Sequence, residues 1–105
     1  MKTQQPEMKI DQYDNKEWQL NGERHRADGP AIEWANGIKL WYQNGILHRT
    51  DGPAVEDADG YKEWWLNGER LGDDAEGFHV LLRHLGDTDP DAAYNLLLKY
   101  PEYQR

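Results

Sequence analysis

At 105 residues the chain is the size of one domain, enough for a modest core without covalent staples. It contains no Cys and no Ser, which excludes disulfide scaffolds, thiolate zinc sites and Ser or Cys nucleophiles and leaves only Thr3, Thr50 and Thr88 as hydroxyls outside the tyrosines. Lys and Arg number 12 against 20 Asp and Glu, a net charge of -8 that repels a nucleic-acid backbone instead of binding it.

Met1 to Pro6 lacks the apolar stretch of a secretory leader, and no apolar run is long enough to span a bilayer. The expectation is a cytoplasmic protein with no membrane contact. Met8 to Tyr13 reads as a degenerate first strand. From Lys16 the chain repeats itself. Lys16-Glu17-Trp18-Gln19-Leu20-Asn21-Gly22 returns at Lys39 to Gly45 and again at Lys62 to Gly68, a period of 23. His25-Arg26-Ala27-Asp28-Gly29-Pro30-Ala31 returns at His48 to Ala54, whereas the third copy stops at Leu71-Gly72.

Each unit carries two hairpin signals: Asn21-Gly22, Asn44-Gly45 and Asn67-Gly68 in one set, Asn36-Gly37 and Asp59-Gly60 in the other. Read as two-residue turns, they set Trp18 against His25, Glu17 against Arg26, Tyr42 against Leu47, Ile32 against Trp41 and Val55 against Trp64. One face then holds Trp18, His25, Ile32, Trp41, His48, Val55, Trp64 and Leu71, and by composition it is the buried one. The other is mixed, with Glu17, Arg26, Leu40, Tyr42, Leu47, Arg49, Glu63, Trp65 and Arg70.

After Leu71 the period lengthens to that of a helix. Phe78, Leu81, Leu82 and Leu85 form one stripe, with Asp73 or Asp74 as N-cap and Gly86 past the end. A second helix is signalled by Asp89 as N-cap, Pro90 at the first position, the apolar Ala93, Leu96, Leu97 and Tyr100, and Pro101 as the stop. The expected fold is α+β, a single domain over 1–105: an antiparallel β-meander of hairpin repeats over 16–71, followed by two short helices in the tail, 72–105. The helices either pack over the Trp row or cap the end left by the truncated third unit.

Trp41-Tyr42-Gln43-Asn44-Gly45-Ile46-Leu47-His48-Arg49-Thr50-Asp51-Gly52-Pro53-Ala54 resembles the W-x-x-N-G-x-x-H-R-x-D-G-P-A repeat of bacteriophage and large DNA virus proteins. It is similar in length and turn placement to MORN repeats, although Arg26 and Arg49 stand where those usually have Gly. The resemblance covers about half the chain and implies an extended β-meander used for binding, with no single activity.

The repeated His-Arg-x-Asp invites a metal or catalytic reading, but one unit advances two strands, about 10 Å, and ligands of one metal must converge far more closely. Each imidazole is instead expected to stack on its cross-strand Trp. His79 and His84 lie five apart and do not share the i, i+4 face of a helical metal pair, and Asp57-Ala58-Asp59-Gly60 is a hairpin turn without the Glu that would complete a calcium loop. No catalytic residue, metal site or cofactor is assigned, and the chain is read as non-enzymatic. Two surface features point to a protein partner. Tyr42, Leu47 and Trp65, with Leu40, form an apolar cluster on the mixed face. Residues 72–95 hold Asp73, Asp74, Glu76, Asp87, Asp89 and Asp91 against Arg83 alone. This places the charge where it could cap helices or dock on the basic groove of a nucleic-acid-binding effector or nuclease. The specific expectation is a small acidic phage inhibitor of a host nucleic-acid-dependent defence complex, as anti-CRISPR proteins are, acting in the host cytoplasm. The alternatives are a self-assembling repeat module forming a homodimer and, least favoured, a carboxylate- or His-dependent hydrolase.

Overall fold

A computed structural model describes residues 5–104; most of the stretch read for a leader lies outside them. The strands are β1 (Glu7–Ile10), β2 (Lys16–Leu20), β3 (Glu23–Arg24), β4 (Ile32–Glu33), β5 (Lys39–Leu40), β6 (Tyr42–Gln43), β7 (Ile46–Leu47), β8 (Val55–Glu56), β9 (Lys62–Leu66) and β10 (Glu69–Asp73), followed by α1 (Asp74–Thr88), α2 (Pro90–Lys99) and a 3₁₀ turn, Pro101–Tyr103. The chain is α+β, as expected. All its strand pairs are antiparallel, in the order β1-β2-β4-β5-β8-β9-β10, with β3 beside β2 and β6 paired to β7. No helix among the described residues is long and apolar enough to cross a membrane.

The two turn sets differ. At Asn21-Gly22, Asn44-Gly45 and Asn67-Gly68 both residues have positive φ, the type I′ turn that the pairs signal. Tyr42 faces Leu47, and His25 donates its N–H to Trp18 O at 3.1 Å, as predicted. At the other set only Gly37 and Gly60 have positive φ. Gly37 N–H closes on Trp34 O and Trp34 N–H on Ile38 O, both at 2.9 Å, so the loop has three residues and ends in a bulge. Ile32 therefore pairs with Leu40, not Trp41, and Val55 with Glu63, not Trp64. A one-residue shift exchanges faces. Ile32 and Val55 lie with Glu17, Leu40 and Glu63, away from the Trp row. Glu17 itself faces Ile32, not Arg26, because the chain leaves β2 after His25 and Arg26 donates its N–H to Tyr42 O of the next unit at 3.3 Å.

The repeated residues serve the scaffold. Arg26 lies over the Trp18 ring at 3.8 Å and Arg49 over Trp41 at 3.9 Å, so a guanidinium covers each indole where an imidazole was expected. Arg49 also donates to Asp51 Oδ1 at 2.8 Å, Pro53 O at 2.9 Å and Glu56 Oε1 at 3.3 Å, and Arg26 makes the same three bonds to Asp28, Pro30 and Glu33 at 3.2, 3.1 and 3.2 Å. A Cβ at Gly52 would lie 2.6 Å from Arg49 Cζ, so any side chain there would displace the clamping guanidinium. Each His is spent between units: His25 Nδ1 accepts the N–H of Asn44 at 3.0 Å, and His48 Nδ1 that of Asn67 at 2.9 Å.

The third unit has no such Arg, and the tail replaces it. Trp64 is fully buried and makes edge-on contacts with Phe78, Tyr100 and Tyr103, at centroid distances of 5.7, 5.3 and 6.3 Å. Around it close Leu66, Leu81, Leu85, Ala93 and Leu96. The helices thus cap the end of the array. Asp73 is the α1 N-cap by position but makes no side-chain cap bond, whereas Asp89 accepts from Ala92 N–H at 3.2 Å as predicted. Gly86 lies inside α1 and not past its end: the helix runs on to Thr88, where the Asp89-Pro90 start of α2 stops it.

Candidate protein-binding surface

The Asn-Gly hairpins of the three units stack into a row. Gly45 N–H donates to Arg24 O at 2.8 Å, Gly68 N–H to Leu47 O at 2.9 Å and Arg49 N–H to Trp65 O at 3.2 Å. Side chains of one face therefore form a grid, three positions by three units. Unit 1 supplies Glu17, Gln19 and Arg24; unit 2, Leu40, Tyr42 and Leu47; unit 3, Glu63, Trp65 and Arg70. Opposite members are cross-strand partners: Gln19 with Arg24, Tyr42 with Leu47, Trp65 with Arg70. The charged side chains of units 1 and 3 are internally paired. Glu17 accepts from Gln19 Nε2 at 2.6 Å and faces Arg24 at 3.4 Å. Glu63 accepts from Trp65 Nε1 at 3.0 Å and Tyr61 Oη at 2.7 Å and lies 3.8 Å from Arg70. Partial burial pushes the Glu63 carboxyl up, but those two hydrogen bonds and Arg70 outweigh it and hold it below its ordinary value.

The apolar members, Leu40, Tyr42 and Leu47 of unit 2 and Trp65 of unit 3, form one cluster between these paired charges. Tyr42, Leu47 and Trp65 are each half-buried and lie on the face opposite Trp64 and Leu66, so the tail helices leave them uncovered. Arg24 reaches over the Tyr42 ring at 5.4 Å. The expected cluster is thus brought together, with Leu40 at its inner edge.

The acidic residues do not form one patch. Asp73 faces Glu63 across β9 and β10 and lies 3.8 Å from Arg70, so it borders the apolar cluster. Asp74 begins α1 beside it. Asp87, Asp89 and Asp91 cluster at the other end of that 15-residue helix, about 20 Å away at ~1.5 Å per residue. All five are exposed.

The sequence reading did not single out several exposed apolar side chains, among them Met8 and Ile10 on β1, Tyr13 in the turn after it, Ile46 at a hairpin tip, and Tyr94 with Leu98 on α2. The i, i+4 spacing of Tyr94 and Leu98 signals a second helix stripe, hidden beside the stronger one formed by Ala93, Leu96 and Tyr100. A cleft of about 610 Å³ lies between the Asp28-Gly29-Pro30 turn and Trp41, His48 and Arg49. Its charged groups are those of the scaffold clamp. No family model matches the chain, and no curated protein or solved structure is significantly similar to it.

Proposed function

We propose that the chain is a non-enzymatic protein-binding module whose contact surface is the hairpin row, with Tyr42 and Trp65 as anchors, Leu47 between them, and Glu17–Arg24 and Glu63–Arg70 as a polar rim. The observation that carries this is the grid itself: an uncovered cluster of two aromatics and a leucine from adjacent units, bordered by self-paired charges, the pattern of an energetic centre within a water-excluding rim. Asp73 and Asp74 at its border, with the -8 net charge, favour a basic partner surface. Together with the resemblance to virus-associated repeats, this supports an inhibitor of a nucleic-acid-handling effector or nuclease of a host defence system, acting by occupying its basic groove.

The test has two stages. The immobilised chain is used to capture a protein from a bacterial lysate, and the captured protein is then titrated with purified variants. Trp65→Ala and Tyr42→Ala are each expected to weaken binding at least about tenfold, a hot-spot loss, and Asp73→Asn with Asp74→Asn to slow association at low salt. Loss of the captured enzyme's nucleic-acid cleavage on addition of the chain supports the inhibitor reading. Affinities within a factor of about two for both aromatic variants would overturn the anchor assignment.

A further inference from the structure

We propose that the chain self-associates through β1, two copies joining antiparallel about a two-fold axis at Met8. Among the described residues the array is closed at one end, where α1 packs on β9 and β10, and open at the other. Among the described residues β1 pairs only with β2, and all four of its residues are exposed.

The direction of the unpaired groups follows from β2. Trp18 donates its N–H to Ala31 O at 2.7 Å and accepts from His25 N–H at 3.1 Å, so both its backbone groups face away from β1. Met8 lies directly opposite Trp18. It is therefore a non-hydrogen-bonded partner, and its own N–H and C=O point out of the sheet edge. The same alternation turns the N–H of Ile10 and the C=O of Pro6 outward.

A second copy fits that edge by charge as well as by hydrogen bonding. With Met8 opposite Met8 of the second copy, Glu7 stands opposite Lys9 and Lys9 opposite Glu7, two complementary pairs on one face. On the other face Met8 and Ile10, 45% and 52% exposed, lose water. Four backbone bonds form: Met8 N–H to Met8 O in both directions, and Ile10 N–H to Pro6 O in both directions. Pro6 and Lys9 are residues that protect an edge against arbitrary strands. In this register Pro6 is needed as an acceptor, and Lys9 meets a carboxylate. The contact is small, which places it among concentration-dependent associations and not obligate dimers.

Sedimentation equilibrium of the intact chain over a wide concentration range tests this, with circular dichroism confirming that each variant is folded. The wild type is expected to be in monomer–dimer exchange. Met8→Pro removes the outward N–H and is expected to abolish the dimer. Glu7→Lys places a second ammonium opposite Lys9 in both of the symmetric pairs and is expected to raise the dissociation constant about tenfold; Glu7 faces the neutral Gln19 within the chain, so its fold is undisturbed. Trp65→Ala is expected to leave the dimer unchanged, which separates this contact from the partner surface above. A strict monomer at every concentration, a dimer that Glu7→Lys does not weaken, or one that Trp65→Ala dissolves would overturn the proposal.

Discussion

Arg49→Met against Arg26→Met tests the view that the repeated Arg is a structural clamp. The Arg49 side chain is 13% exposed and that of Arg26 is 23%. Removing the Arg49 guanidinium leaves the carbonyl of buried Pro53 without a charged donor, a loss of about 1.5–2 kcal/mol. The stacking on Trp41 adds about 1 kcal/mol for a largely desolvated pair. Exposed Asp51 is screened by water and contributes less than ~1 kcal/mol. Methionine keeps most of the aliphatic stem against the indole, so the expected total is about 3 kcal/mol. The corresponding bond of Arg26 to Pro30 O is longer, 3.1 against 2.9 Å, and wetter, so about 2 kcal/mol is expected there. Urea unfolding followed by tryptophan fluorescence measures both. A loss below ~1 kcal/mol for Arg49→Met, or a larger loss for Arg26→Met, would refute the clamp as the reason for the repeat.

Burial holds the His48 imidazole below its ordinary value. The unfolded chain therefore takes up the proton first as pH falls below ~6.5, and stability is full above that point and declines toward the lowered native value. His48→Gln is expected to flatten that decline, and an unchanged slope in thermal melts between pH 7 and 5 would contradict it. Gly77→Ala sets a Cβ against Trp64 Cδ1 and the Gly72 carbonyl, so a loss of about 2–3 kcal/mol is expected despite the better helix former. A melting temperature equal to wild type would count against the packing of α1 on Trp64. Asp14 has φ 67 at the turn position that Gly37 and Gly60 occupy in later units. Asp14→Gly is expected to raise stability by about 0.5 kcal/mol, readable as a shift in urea midpoint.

How much of this was legible depends on what each residue pair encodes. Asn-Gly at 21, 44 and 67 allows positive φ at both positions, so the turn type and the pairing of Tyr42 with Leu47 followed directly. Asn36-Gly37 has the same letters but only the Gly takes positive φ, because Trp34 to Ile38 closes a longer loop. Nothing in the dipeptide distinguishes the two, and the one-residue difference moved Ile32 and Val55 to the other face. The first unit was half legible for a related reason: a strand was expected over Met8 to Tyr13, and the structure has β1 at Glu7–Ile10, but the turn that follows it was not seen. Asp11 to Asn15 repeats the later turn bond for bond, with Asp14 N–H to Asp11 O at 3.2 Å matching Gly60 N–H to Asp57 O at 3.1 Å, yet it has no Gly to announce itself. The tail's role was half visible: the helical stripes could be read, but that Phe78 and Tyr100 stand in for a missing Arg depends on a contact between segments far apart in sequence. Acidic residues of one segment, 72–95, were expected to act together, and the length of α1 divides them.

Where the units agree, the structure uses the residue internally: Trp18 and Trp41 beneath an Arg, His25 and His48 between hairpins, Ala31 and Ala54 buried. At 17/40/63, 19/42/65 and 24/47/70, where unit 2 departs from units 1 and 3 or all three differ, the side chains lie on the uncovered face. A scaffold that fixes one set of positions and leaves another open predicts that the open set can be rewritten at little cost in stability. Gln19→Trp with Arg24→Leu copies the aromatic of unit 3 and the leucine of unit 2 into unit 1. The change gives up the Arg24–Glu17 pair at 3.4 Å, whose Arg is 41% exposed and so contributes less than ~1 kcal/mol; the Gln19 bond to Glu17 is replaced by an indole N–H, as Trp65 donates to Glu63, and the contact of Arg24 with the Tyr42 ring by a large ring beside it. Stability within about 1 kcal/mol of wild type, with tryptophan emission showing a partly wet indole, is the expected result. A loss of several kcal/mol would mean that the grid is part of the core, and the binding surface would then have to be sought elsewhere.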